Sequence, residues 1–284
     1  MKVTMDTERN NIKKIAIARD SYAILQTDGK VMMYDLHSGE ERRLHRLDGV
    51  IDLAAGFDFY AGLTEYGRVV TDGKCENDSF ARSSYQFSDW YDGKAVYACE
   101  NHLAMLQDDG KVRCAEGSGW DTTSYKKALE NWPNIKQLAI TFERPFGLSE
   151  DGEFASFDGH MYQYFNSDPE SKIVQVAAFG CYYSTHIAAA LYRDGSVKAK
   201  ILWAEEIEEV KKWKEVKKIG CGIAGAIGGL TKQDKLLIDA DRPYIDDFGN
   251  EVSELDNIRD FDMGFFYIVA VDNAGKLVIL KQKR

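Results

Sequence analysis

The chain has 284 residues, 44% of them hydrophobic, and a formal net charge of −10. That length suffices for one large all-β domain or for two smaller ones. Proline is scarce (4 residues) and no Ser/Pro/Gly-rich linker interrupts the sequence, so we predict a single domain over residues 1–284. The negative charge disfavours nucleic acid and anionic membranes as partners.

The sequence carries no targeting or redox signature. Its first residues lack the apolar run of a signal peptide, and no stretch approaches the roughly 18 apolar residues of a membrane span. The five cysteines are irregularly spaced and form no Cys-x-x-Cys pair, so we expect reduced, mostly buried thiols. We therefore predict a cytoplasmic monomer.

One sequence pattern recurs in seven places along the chain. In residues 96–117 it reads as an apolar inner strand, a short loop, an alternating strand, the turn Asp109-Gly110 and a third strand. Asp-Gly suits a two-residue hairpin turn because both residues tolerate positive φ. Equivalent turn residues follow 38 to 43 residues apart, at Gly29, Gly67, Gly110, Gly152, Gly195, Asp234 and Gly275. Seven units of this size indicate a repeat architecture.

Apolar residues keep a fixed register to these turns. The position four residues before the turn holds Leu25, Leu63, Leu106, Leu148, Leu191, Leu230 and Val271. The position two residues after it holds Val31, Val69, Val112, Phe154, Val197, Leu236 and Leu277. Paired strands that face a common core require this pattern. A third apolar position, which we interpret as packing between units, holds Leu47, Trp90, Trp132, Trp213 and Leu255.

The residues between units have to supply a fourth, outer strand. Candidates are 41–47 and 86–91, while 205–214 fits either a short amphipathic helix or an outer strand. The last unit has no residues left for this strand, and the alternating segment Lys2–Met5 is free to provide it. The predicted fold is therefore all-β: a seven-bladed β-propeller whose ring is closed by the N-terminal strand.

The repeat resembles that of the regulator of chromosome condensation family, and the chain is identified as a divergent, bacterial-type member. The motifs that carry the resemblance are Ile51-Asp-Leu-Ala-Ala-Gly56, His102 eight residues before Gly110, and Ala189-Ala-Leu191 before Asp194-Gly195-Ser-Val197. The resemblance implies a propeller and gives His102 a structural role. The founding member exchanges nucleotide on a small GTPase and docks on chromatin, whereas bacterial relatives are compact binding proteins, a β-lactamase inhibitor among them.

We expect a protein-binding scaffold or inhibitor-like module that uses aromatic-rich loops on one face. Aromatic and Arg side chains on loops bury large areas at low entropic cost, which is typical of binding hot spots. The loops between inner and second strands carry the predicted partner-binding residues Asp58, Tyr60, Glu100, Asn101, Phe142, Arg144, Tyr182, Tyr183 and Phe266. Packing between blades is the alternative role for Phe57, Phe59 and Phe265.

Two other functions stay open from the sequence: a hydrolase or lyase with its site at the mouth of the central channel, and a regulator of a small GTPase. The five histidines share no metal-ligand spacing, and the acidic stretch 239–247 lacks the pattern of a calcium loop. Cys181 and His186 lie on one loop without a visible third group to orient them. We expect no catalytic residues, no metal and no cofactor.

We expect the change of Tyr182, Tyr183 and Arg144 to Ala to leave folding intact and to abolish partner binding, because these residues lie on loops rather than in strands. A pull-down of wild type and variant from lysate, with mass spectrometry of the retained proteins, measures the effect. A partner retained by both proteins would move the site elsewhere.

Overall fold

The structure is a computed structural model, and it describes most of the repeat units. The described residues are 2–5, 11–73, 87, 89–100, 102–115, 129, 132, 134–142, 144–156, 159–168, 170–180, 186–202, 204, 206–222, 225–239 and 254–281. They form seven antiparallel sheets of three or four strands. The chain divides into two compact units, residues 11–135 and residues 1–10 with 136–284. The predicted single domain stays a prediction.

Residues 11–135 contain three sheets, with strand orders β2-β3-β4-β5, β6-β7-β8 and β11-β10-β9. The strands are β2 (Ile12–Ile17), β3 (Ser21–Gln26), β4 (Val31–Asp35), β5 (Glu41–Arg43), β6 (Val50–Ala55), β7 (Phe59–Thr64), β8 (Val69–Gly73), β9 (Gly93–Cys99), β10 (His102–Gln107) and β11 (Val112–Cys114). A short 3-10 helix, His45–Leu47, follows β5.

The second unit contains four sheets, with orders β12-β13-β14, β15-β16-β17, β18-β19-β20-β21 and β22-β23-β24-β1. The strands are β1 (Lys2–Met5), β12 (Ile135–Ile140, which starts at the unit boundary), β13 (Pro145–Ser149), β14 (Phe154–Ala155), β15 (Ile173–Phe179), β16 (Ile187–Tyr192), β17 (Val197–Ile201), β18 (Val216–Cys221), β19 (Ile227–Thr231), β20 (Leu236–Asp239), β21 (Glu254–Leu255), β22 (Ile258–Met263), β23 (Tyr267–Asp272) and β24 (Leu277–Lys281). Helix α1 is Gly159–Phe165, and a 3-10 helix spans Glu209–Lys212.

Every predicted turn residue has the positive φ that the sequence implied, from 62° at Asp234 to 85° at Gly195. In six of the seven turns, all but that of Gly275, the carbonyl of this residue also accepts a hydrogen bond from the start of the following repeat. Gly93 N donates to Gly67 O at 3.1 Å, and Ile258 N donates to Asp234 O at 2.7 Å. Each of these six turns thus fixes where the next inner strand begins.

The first strand of each unit, the inner strand, begins with a β-bulge. Pairing shifts by one residue between the first and third positions of six inner strands, for example between Val50 and Asp52. A bulge leaves one residue unpaired and twists the strand locally. The second residue therefore turns to solvent, as Ile51 does, and the fourth residue is buried, as Leu53 is.

Third-position side chains bind the backbone of the neighbouring inner strand. The carboxylate of Asp52 accepts from Val96 N at 3.0 Å, and the amide of Gln175 both accepts from Ile219 N at 2.8 Å and donates to Ile219 O at 2.9 Å. An inner strand is a sheet edge whose N–H and C=O groups on that side have no ladder partner. These side chains supply one, at about 1 kcal/mol for each hydrogen bond.

The predicted register is confirmed. All fourteen apolar residues that flank the turns are buried, at 7% exposure or less. The third apolar position packs between successive sheets: Leu47 contacts the cluster that holds Leu25 of β3 and Leu53 of β6, and Trp90 joins Leu63 of β7 and Val96 of β9.

The predicted outer strand over 86–91 needs correction, and that over 41–47 holds only in part. Residues 41–43 form β5 while 45–47 form a 3-10 helix, and of residues 86–91 the described ones form a turn, in which Trp90 N donates to Phe87 O at 3.0 Å. These two rings pack edge to face at 4.9 Å and are buried, so the segment stabilises the core by side chains rather than by strand pairing. Residues 209–212 form a 3-10 helix, and α1, which no pattern predicted, buries Met161 and Phe165.

The N-terminal segment pairs with the last sheet, as predicted. β1 runs antiparallel to β24, with Lys2 opposite Leu280 and Met5 opposite Leu277. That this pairing closes a ring stays a prediction. No helix among the described residues has the length and apolarity needed to cross a membrane.

Deletion of residues 1–9 is expected to lower the free energy of unfolding by about 2–4 kcal/mol, because β24 loses its four paired residues and becomes a bare edge. Thermal and urea unfolding measure the change. A variant with glycine and serine only at positions 6–9 is the control, and unfolding that is unchanged by the deletion would contradict the role of β1.

His102 opens β10 and is fully buried. Burial lowers the pKa of His102 from 6.5 to about 3, against a weaker opposite effect from the backbone of Cys99. The unfolded chain therefore takes up a proton below pH 6.5 that the folded chain refuses. This contribution to stability is complete above pH 6.5 and is lost as the pH falls towards 3.

The variant His102→Gln is therefore expected to lose stability less steeply than wild type between pH 6.5 and 4, by about 1.4 kcal/mol per pH unit. Urea unfolding at three pH values in this range gives the slopes. His45→Gln, at a side chain that is 75% exposed, is the matched control and should keep the wild-type slope. Equal slopes for wild type and His102→Gln would refute the assignment.

Candidate functional site

The loops that follow the inner strands form the candidate site, and within each unit they lie at one end, here called the loop end. Most of them are tight turns. The residue that closes the inner strand donates its N–H to a carbonyl three residues on: Ala18 to Ser21 at 2.9 Å, Gly56 to Phe59 at 3.0 Å and Thr141 to Arg144 at 2.9 Å. Little backbone is free to move in such loops.

A second set of backbone hydrogen bonds joins neighbouring loops. In residues 11–135, Arg19 N donates to Phe57 O at 3.1 Å, and Phe57 N donates to Glu100 O at 2.9 Å. In the other unit, Phe142 N donates to Gly180 O at 2.8 Å. A Cβ on Gly56 would lie 2.2 Å from Glu100 O, so glycine is required where these loops meet. The loops are therefore held together before any partner arrives.

The Arg19 cluster, which consists of Arg19, Asp20, His37, Phe57 and Asp58, lies at the loop end of residues 11–135. The guanidinium of Arg19 lies 5.3 Å from the centre of the Phe57 ring. It also donates to Asp58 Oδ1 at 3.0 Å and to Asp20 Oδ2 at 3.1 Å. His37 Nε2 lies 3.0 Å from Asp20 Oδ1. The cluster combines a cation–π contact with paired charges.

The Arg19 cluster remains accessible although its members are paired. The exposed fractions of the side chains are 38% for Arg19, 37% for Asp20, 31% for Asp58 and 47% for His37. Exposed ion pairs contribute little to stability, about 0–1 kcal/mol each. The charged groups of the cluster therefore remain in contact with solvent, and Phe57 is partly exposed.

Sequence reasoning missed Arg19, Asp20 and His37. Arg19-Asp20 stands directly after Ala18, as Phe57-Asp58 stands directly after Gly56, so alignment of the first unit on the second contained the signal. His37 had no such signal, because it comes from the loop after β4 and reaches Asp20 only in the folded chain.

The predicted partner-binding residues within the segment 11–135 lie in different environments. Asp58 is half-exposed and bound to Arg19. Tyr60 is 5% exposed, and its hydroxyl lies 2.6 Å from Ser21 Oγ. Burial raises the pKa of Tyr60, so this phenol stays neutral. Glu100 is 3% exposed and has a positive φ of 49°. Tyr60 and Glu100 thus present almost no side-chain surface.

In the second unit, Phe142, Arg144 and Phe266 are partly exposed. Phe265 is buried and packs edge to face on Phe179, with 5.0 Å between the ring centres. Phe59 in the other unit is likewise buried, which favours packing over binding for both rings. The predicted residues Asn101, Tyr182 and Tyr183 lie outside the described residues. The prediction that these loops bind a partner stays a prediction.

Groups that could support catalysis or metal binding are dispersed in the described part of the chain. It contains no group of three or more His, Cys, Asp and Glu residues that could hold a metal ion. Cys221 is buried, and burial raises the pKa of its thiol. His102 is buried and neutral, because burial lowers its pKa.

Three solved structures show what the chain is similar to. Prp20p (yeast RCC1) from Saccharomyces cerevisiae aligns with a TM-score of 0.64 at 12% identity, over 96% of this chain and 83% of that one. The Cps50 (Swd1) β-propeller domain of Myceliophteria thermophila aligns with a TM-score of 0.59 at 11% identity, over 99% and 98%. YCF48, solved bound to D1 peptide, aligns with a TM-score of 0.54 at 10% identity, over 100% and 97%.

No protein-family model and no curated protein matches the chain. At identities of 10% to 12%, the three similarities bear on the fold alone. Together with the seven sheets, they support a β-propeller fold.

Proposed function

We propose that the chain is a protein-binding scaffold that engages its partner with the loop end of residues 11–135. The observation that carries this proposal is the Arg19 cluster: an arginine, stacked on an aromatic ring and still 38% exposed, on a backbone fixed by hydrogen bonds. Arginine and aromatic side chains are enriched in the residues that contribute most to binding energy.

Preorganisation of the Arg19 cluster supports the same function. Arg19 and Phe57 are held by the backbone hydrogen bond between them, and the guanidinium is oriented by two carboxylates. Binding a partner then costs little side-chain entropy at this surface, because its groups are already in place. The two carboxylates of Asp20 and Asp58 exceed the single positive charge of Arg19 by one, so the expected partner offers an apolar or aromatic group with hydrogen-bond donors rather than high charge.

The similar structures fit a scaffold role. The structure of Prp20p was described together with its binding to Gsp1p and histones, and YCF48 was solved bound to D1 peptide. For this chain we propose only the class of partner, a protein or peptide. Membership of the chromosome-condensation-regulator repeat family is part of the proposal, supported by the repeat motifs and by the likeness to Prp20p. An enzyme with its site at the channel mouth and a regulator of a small GTPase stay open as alternative functions.

The double variant Arg19→Ala and Phe57→Ala is expected to lose the partner while it unfolds within about 1 kcal/mol of wild type, because both side chains lie on the surface. Immobilised wild type and variant are exposed to lysate of the source organism, and retained proteins are identified by mass spectrometry. We expect one protein to be at least tenfold depleted on the variant.

Arg193→Ala is the matched control, because Arg193 is exposed and lies after β16, away from the loop end. It should retain what wild type retains. Equal recovery on wild type and on the double variant would refute a partner site at the Arg19 cluster.

A further inference from the structure

In each compact unit, the second residues of the inner strands follow one another at the end where these strands begin. A bulge leaves this residue unpaired in six of the seven inner strands, and in β2, β6, β9, β15 and β18 it is more exposed than its neighbours, whereas Lys136 of β12 and Arg259 of β22 are partly exposed. No packing requirement therefore fixes its identity. Along the chain these residues are Lys13, Ile51, Lys94, Lys136, Val174, Lys217 and Arg259.

The row has a pronounced chemical bias in a chain of net charge −10: five residues are cationic and two are β-branched and apolar. The apolar ones, Ile51 at 41% and Val174 at 42%, are among the large hydrophobic side chains that the described residues leave exposed. In each compact unit, one apolar residue stands between cations of the neighbouring inner strands. The arrangement thus occurs twice, independently.

Residues 136–284 carry the longer row, which we call the bulge row: Lys136, Val174, Lys217 and Arg259. Hydrogen bonds at the third position show that the four inner strands are successive neighbours. Gln137 Oε1 accepts from Val176 N at 3.0 Å, Gln175 bonds Ile219, and Lys218 Nζ donates to Phe261 O at 2.7 Å. The second-position residues, one step earlier on the same strands, therefore follow each other in that order.

Nearby carboxylates neutralise the bulge row only in part. Asp234 pairs with Lys217, both about one-third exposed, and Asp234 also accepts from Asn273 at 2.9 Å. Asp260 is engaged by Lys218 at the third position. Lys136 makes no ion pair with the described residues, and it lies on the strand next to that of the exposed Val174.

We propose that the bulge row binds an extended acidic segment of a partner protein, with carboxylates on the cations and an apolar side chain on Val174. In an extended strand, alternate side chains share one face, so acidic and apolar groups can follow each other along one row. The exposed valine favours a peptide over nucleic acid, because a phosphate backbone offers no apolar group, and the net charge of the chain repels polyanions.

This surface is separate from the Arg19 cluster. It lies where the inner strands begin rather than where they end, and it belongs to the other compact unit. The two surfaces also differ in charge, since the Arg19 cluster holds two carboxylates for one guanidinium, whereas the bulge row holds three cations. The two proposals can therefore fail independently.

The test is a titration of the 284-residue chain, with methyl groups of Ile and Val labelled for NMR, against the octapeptide Glu-Ser-Val-Ser-Glu-Ser-Glu-Ser at low salt, whose Glu and Val side chains share one face when it is extended. We expect saturable shifts at the Val174 methyls. The change of Lys136, Lys217 and Arg259 to Glu should weaken binding at least tenfold, and Val174→Ser about threefold to tenfold, since one exposed apolar contact is lost.

The matched control changes Lys198, Lys200 and Lys212 to Glu, three cations of the same unit that lie on β17 or in the 3-10 helix after it rather than where an inner strand begins, and should bind as wild type. Thermal unfolding verifies that each variant is folded. If the triple variant is not folded, the single variant Lys136→Ala replaces it and should weaken binding severalfold. Absence of saturable shifts, equal loss in the control, or equal binding of a Glu-Ser octapeptide or of oligothymidylate would overturn the proposal.

Discussion

The unpaired edge of the inner strand is the constraint on which the rest of each unit depends. A three- or four-stranded sheet satisfies its backbone internally except at its edges, and an open edge costs stability and invites aggregation. Here groups of the neighbouring repeat cover the inner edge at three places along the strand. They are a turn carbonyl at its start, a third-position side chain in its middle and a loop carbonyl at its end. Successive sheets therefore depend on each other for their backbone hydrogen bonds.

That constraint limits which amino acids can stand at successive positions of the inner strand. The fourth residue must be apolar, because it lies in the core between sheets. At the third position, Asp52, Gln137, Gln175 and Lys218 reach the backbone of the next inner strand, whereas Ala95 has no polar side-chain group to do so. The second residue meets neither requirement, so its composition is free to reflect binding.

Sequence reasoning reached those features that are repeated with one spacing. The turn residues and the apolar positions around them recur in all seven units, and each was found where expected. Features without a repeated spacing were missed, because nothing in the sequence pattern marks them. Helix α1 follows β14, where a further strand was expected, and Phe87 and Trp90 use an apolar segment for packing that reads equally well as a strand.

The candidate site was predictable in place but not in composition. The loops after the inner strands were identified. The sequence, however, does not distinguish aromatic residues that pack in the core from those that are exposed to solvent. Phe265 and Phe266 are adjacent and alike, yet the first is buried against Phe179 and the second is partly exposed. Long-range partners such as His37 for Asp20 leave no local signal either.

The covered edge also explains how one scaffold can offer two independent surfaces. At the loop end, backbone hydrogen bonds between neighbours fix the position of Arg19 and Phe57, so recognition there depends on shape that exists beforehand. Where the strands begin, the bulge frees one side chain per unit while the turn carbonyl holds the backbone beneath it. The same hydrogen bonds that stabilise the sheets thus leave each end a separate set of side chains, and a change in one set need not disturb the other.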